Sequence, residues 1–238
     1  KPDQKVPVVM AVAQAGKAAF LKRRADELAA LLRAGVAVAI PDVVGTGEVR
    51  LGDSRTRTSG DTSRAATALM LSHPLLMERE TDFEIATEFA RQHREIDAAR
   101  IAFWGESFAP LNAATEKLAV PRGIGGRPHQ AEPLGTILAL LGGIRYEAPV
   151  YIHRGLTSYE SALSSPYVYL PLDAVRQREF LRDGDIADLA AALAPAPLRF
   201  AKPVDAANRP LSEQEAAKAL AATLDKYHHK DAADRLTI

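Results

Sequence analysis

The chain has 238 residues, 47% of them hydrophobic and 25% charged, and its 30 basic and 30 acidic side chains cancel to a formal net charge of zero. That balance suits a soluble globular protein and excludes a general nucleic-acid binder, which would carry a basic excess or stripe. With no cysteine, disulfides, thiolate chemistry and cysteine-ligated metals are excluded. No apolar run approaches the roughly 18 residues that a membrane-spanning helix needs.

The chain begins at Lys1 and enters an apolar run by residue 6, so it reads as a mature or trimmed segment. Residues 6–13 (VPVVMAVA), 36–40 (VAVAI) and 101–104 (IAFW) are short and almost wholly apolar. Runs of that kind predict strands buried on both faces, as in a parallel sheet. Between the first two, residues 17–34 place Phe20, Leu21, Leu28, Leu31 and Leu32 on a helical stripe, and Gly35 stops it. Strand, helix, strand in that compass is a βαβ unit.

Residues 42–48 (DVVGTGE) hold two glycines but lack the third glycine and following helix of a dinucleotide loop, so they predict a surface loop at the edge of the site. Residues 81–93 predict a second helix. Residues 107–118 predict a third, directly after the third strand. A loop over 121–133 and a helix over 134–141 follow. Residues 148–152 and 198–201 predict further short strands. Helices are expected over 185–194, with Asp185 as N-cap, and over 212–227, where Ser212 and Glu215 make a capping box. Residues 235–238 predict the last strand. The alternation predicts one domain over 1–238, a three-layer αβα sandwich with a mostly parallel, doubly wound sheet.

The stretch Gly105-Glu106-Ser107-Phe108-Ala109 stands at the end of the third strand. Small residues two before and two after a serine fit a nucleophile elbow, G-x-S-x-G, in which backbone passes close to backbone. The serine would then face the N-terminus of the next helix, whose N–H groups favour an oxyanion. The alternative is a capping serine in an ordinary loop. One oxyanion donor would be the N–H of Phe108. The second would be that of Gln14 or Ala15, in the loop after the first strand.

Residues 38–50 (VAIPDVVGTGEVR), 100–110 (RIAFWGESFAP) and 192–205 (ALAPAPLRFAKPVD) resemble the α/β-hydrolase superfamily, and within it acetylxylan-esterase-like and dienelactone-hydrolase-like proteins. The resemblance implies a serine hydrolase of ester bonds that uses no cofactor; a metal site is not expected, because no histidine and acid group shows helical i, i+4 ligand spacing with an evident third ligand. Its substrate would be a small-molecule or carbohydrate ester, acylated or uronate-esterified. A peptidase of the same fold, or a module that has lost its base, are the alternatives.

A hydroxyl needs a base to take its proton and a carboxylate to orient that base. The superfamily order is serine, acid, histidine. Asp205 matches the acid position, just past residues 198–201. Asp183, Asp185 and Asp188 compete with it, and a turn aspartate is the plain alternative. For the base the candidates are His228 and His229, before the last strand, and His153, at the end of residues 148–152 but out of order. If residues 235–238 are the last strand, the resemblance puts the base beyond residue 238.

Overall fold

The computed structural model describes residues 5–50, 60–119, 128–168 and 180–238. The three apolar runs become neighbouring parallel strands: β1 (Val6–Ala13), β2 (Ala37–Ala39) and β3 (Ile96–Glu106). With strands β4 (Val150–His153), β5 (Leu198–Ala201) and β6 (Leu236–Thr237) the described residues form a six-stranded parallel sheet in the order β2-β1-β3-β4-β5-β6. The helices are α1 (Lys17–Arg23), α2 (Ala25–Arg33), α3 (Gly60–Met70), α4 (Leu75–Gln92), α5 (Leu134–Tyr146), α6 (Phe180–Asp183), α7 (Ile186–Ala192), α8 (Glu213–Ala219) and α9 (Ala221–His229). A larger core gathers Met10, Phe103, Leu138 and Phe200, and a smaller one gathers Phe20, Leu28, Trp104 and Phe108. Both faces are thus covered, as an α/β sandwich requires.

Most of the punctuation holds. Asp185 and Ser212 each make a capping box with the residue three further on, Asp188 and Glu215. The expected helix over 17–34 is broken at Arg24, whose backbone leaves helical geometry (φ −126°, ψ 24°). The expected helix over 212–227 breaks likewise at Leu220. The helix over 81–93 starts earlier, at Leu75.

Three expectations are corrected. Residues 36–40 read as a doubly buried strand, but among the described residues β2 is the sheet edge and its three residues are half-buried. Beside it runs a groove of about 810 Å³, lined by Val6, Val8, Val38, Ile40, Ile85 and Phe89 among others. Residues 42–48 form the expected loop but not at the surface, with Val43, Gly45 and Thr46 buried. The Asp42 carboxylate accepts the N–H of Lys17 at 2.7 Å and of Glu48 at 3.0 Å. That carboxylate takes the place at the start of α1 where a phosphate would sit, and Gly16 (φ 75°) and Gly47 back onto it. Finally, residues 107–113 are not helical. The helix that returns from β3 is α5, which starts only at Leu134.

The reason lies in the close approach of strand and helix. A Cβ on Gly135 would meet the backbone oxygen of Glu106 at 2.5 Å and its nitrogen at 2.7 Å. A Cβ on Gly105 would meet the Gly135 oxygen at 2.3 Å. The small residue that lets helix pass strand is therefore Gly135 and not Ala109. The chain leaves β3 at Ser107, makes an excursion, and re-enters the turn at Leu134. The elbow is open at the serine.

Candidate active site

In an open α/β sheet, ligands and catalytic groups gather at the carboxyl ends of the strands. Ser107 follows the last residue of β3, and its N–H donates to the His153 carbonyl at 3.1 Å, extending the β3–β4 ladder. Its side chain is buried, with 2% of the residue exposed. The hydroxyl donates to Glu132 Oε2 at 3.4 Å. The same carboxylate oxygen accepts the N–H of Phe108 at 3.0 Å and of Ala109 at 3.2 Å. Two successive backbone N–H groups beside a serine hydroxyl form the geometry of an oxyanion hole, and here a side chain of the same chain fills it. Burial raises the Glu132 carboxyl above the usual carboxylate range, and the N–H groups of Phe108 and Ala109 with the charge of Arg23 only partly offset this. Arg23 also donates to the Phe108 carbonyl at 2.7 Å, which fixes the donors in place.

His153 lies on the other side. Register partners on adjacent strands share a face, and successive residues alternate. His153 pairs with Glu106 in the β3–β4 ladder, so its ring meets the side chain before the serine. His153 Nδ1 is 2.7 Å from Glu106 Oε1 and 2.7 Å from an Arg24 Nη2. Arg24 Nε donates to Glu106 Oε2 at 2.9 Å. The Glu106 side chain is fully buried and Arg24 is mostly so. This is the group that the break at Arg24 serves: leaving the helix, Arg24 turns inward to neutralise a buried carboxylate.

Asp205 does follow β5, but its carboxylate closes its own loop. Its Oδ1 accepts the Arg209 N–H at 2.9 Å, and its N–H donates to the Arg209 carbonyl at 3.1 Å. That loop is tied to the excursion after Ser107. Asn112 Nδ2 donates to the Ala207 and His129 carbonyls at 2.7 Å each, and Asn208 Nδ2 donates to the Pro110 carbonyl at 2.8 Å. His228 and His229 are exposed in the last turn of α9, and His229 Nδ1 is 2.6 Å from the Asp225 carbonyl of its own helix. All six histidines lie among the described residues, and no histidine ring hydrogen-bonds the Ser107 hydroxyl or the Asp205 carboxylate. Ser107, Asp205, His153, His228 and His229 are thus not brought together as a triad.

Of the oxyanion donors, Phe108 does point its N–H at a single oxygen. Its companion on that oxygen is Ala109, where the expectation was Gln14 or Ala15. Asp185 is an N-cap, and Asp188 completes its box. The residues that sequence reasoning passes over are Glu132, Glu106 and Arg24. Strand alternation could have set Glu106 apart from Ser107. Nothing in the sequence marks Glu132 as the partner of residues 107–109.

Compared by sequence, the chain matches no protein-family model and no curated protein. Compared by structure, it superposes on a Bacteroides fragilis protein provisionally assigned as an acetyl xylan esterase. The TM-score is 0.68 at 13% identity, over 99% of this chain and 58% of that one. It also superposes on a Bacteroides ovatus protein provisionally assigned as a dipeptidyl aminopeptidase IV. There the TM-score is 0.51 at 15% identity, over 95% of this chain and 27% of that one. The chain thus spans little more than half of the first structure and about a quarter of the second. With the parallel sheet order, these likenesses show that the chain has the α/β-hydrolase fold.

Proposed function

We propose that this chain is a ligand-binding module on the α/β-hydrolase fold, in which Ser107 is held and not activated. One observation carries the reading: the Ser107 hydroxyl and the Phe108 and Ala109 N–H groups all converge on the Glu132 carboxylate. A nucleophilic serine needs a base that takes its proton and empty donors that await the oxyanion. Here the donors are filled by a carboxyl oxygen, and among the described residues no imidazole hydrogen-bonds the hydroxyl. The test is turnover of p-nitrophenyl acetate. Wild type and Ser107→Ala should show the same slow background rate. Turnover lost only in the variant would overturn the reading.

A second reading is favoured by the same contact seen from the carboxylate. Glu132 is buried, has a raised proton affinity and lies 3.4 Å from the hydroxyl, so it could itself take the serine proton. The chain would then be a serine hydrolase. Its substrate would be an acylated or uronate-esterified carbohydrate, in line with the acetyl xylan esterase likeness, or a peptide, in line with the peptidase likeness. In that case Ser107→Ala and Glu132→Gln would both abolish turnover.

A further inference from the structure

The ladders that pair Glu106 with His153 and His153 with Ala201 end together. The next residue on each strand forms one row across the carboxyl ends of β3, β4 and β5: Ser107, Arg154 and Lys202. Both cations take the left-handed conformation, with φ 55° at Arg154 and 53° at Lys202. Arg154 is half-buried, and its Nε–H is shut off from solvent with no acceptor. No hydrogen bond or ion pair to the Arg154 guanidinium or the Lys202 ammonium exists among the described residues. Most half-buried guanidinium groups find a carboxylate or carbonyl, because a desolvated cationic N–H is costly to leave unmade.

Three acids of this edge are already engaged. Glu106 is held by Arg24, Glu132 by the Phe108 and Ala109 N–H groups, and Asp205 by the Arg209 N–H. Among the described residues no acid pairs either cation of the row, the half-buried Arg154 with its buried Nε–H or the exposed Lys202, at the edge where open α/β sheets bind ligands.

We propose that this row is a small-anion site, with Arg154 as the principal contact and Lys202 as the second, for a carboxylate or a phosphate. A guanidinium fork with one further cation suits either. The inference deepens the binding reading above by naming the ligand class, and it rests on that reading.

The test is titration of the full chain with acetate and, separately, with inorganic phosphate, at constant ionic strength held by chloride. The arginine Nε–H resonance of Arg154 is followed by NMR. A saturable shift that chloride does not give is expected, and the stronger of the two arms identifies the ligand chemistry. Arg154→Gln should weaken binding about tenfold, one charge-assisted contact's worth. Lys202→Gln should weaken it less, and Arg199→Gln, an exposed arginine on β5, should leave it unchanged. No saturable shift in wild type, or a Lys202→Gln/Arg154→Gln double variant that binds as wild type does, would overturn the site. Because wild type is read directly, the result does not depend on a variant folding. Absence of anion binding with no Ser107-dependent turnover would sink this site alone, whereas Ser107-dependent turnover would sink the reading beneath it.

Discussion

Glu106 and Ser107 are neighbours in the chain and end on opposite faces of the sheet, and each face buries a carboxylate in a different way. On the Glu106 face a guanidinium touches the buried acid, and an imidazole completes the cluster. On the Ser107 face the buried acid is Glu132, and its partners are two backbone N–H groups and a hydroxyl, none of them charged. The difference teaches how strand alternation sorts the groups: His153 and Arg24 meet Glu106 on one face, and Ser107 meets Glu132 on the other.

The largest effect should come from the hinge that both faces share. Gly135→Ala would drive a Cβ into the Glu106 backbone on both its nitrogen and its oxygen. A loss of about 3 kcal/mol or more, or failure to fold, is expected in urea denaturation. Ala109→Gly should change stability by no more than about 1 kcal/mol. If Ala109 proved the costlier of the two, the open elbow would be the wrong description.

Next comes the charged face. Arg24→Gln strands a fully buried carboxylate and should cost about 3 kcal/mol. Adding Glu106→Gln should recover part of that loss, because the charge that lacked a partner is then gone. A double variant as unstable as the sum of both singles would show that the two side chains do not couple.

The uncharged face should respond less. Glu132→Ala leaves two N–H groups without their acceptor and should cost about 2 kcal/mol. Glu132→Gln keeps an acceptor oxygen and should cost far less at neutral pH. The sign with pH follows from the raised carboxyl. A carboxyl that binds its proton more tightly when folded gives its stabilisation below the unfolded value of 4.5 and loses it as pH rises through the folded value. The stability of wild type relative to Glu132→Gln should therefore fall as pH rises from about 4.5. Parallel curves would mean that Glu132 carries no such perturbation. The smallest effect belongs to Ser107→Ala, within about 0.5 kcal/mol, since its hydroxyl makes one long contact.

Much of the architecture was legible because local rules and packing agree there. Apolar runs marked β1 and β3, and Asp185 and Ser212 announced α7 and α8 by their caps. The edge position of β2 was hidden, since an apolar run does not say how many neighbours it will have. The site was half legible. Ser107 does stand at the end of a central strand and Asp205 does follow β5. What failed was the assumption that the next helix begins at the serine. The pentad's sterics are satisfied by Gly135, remote in sequence, and periodicity cannot report which glycine faces Gly105. Glu132 was invisible for the same reason: its role is set by a contact across the excursion and not by spacing.

The central claim is that Ser107 is not a nucleophile in this chain, and reaction with a fluorophosphonate probe tests it most directly. Intact-mass analysis should show folded protein with no adduct, identical to Ser107→Ala. An adduct on wild type that is absent from Ser107→Ala would contradict the account, and its loss in Glu132→Gln would name the base.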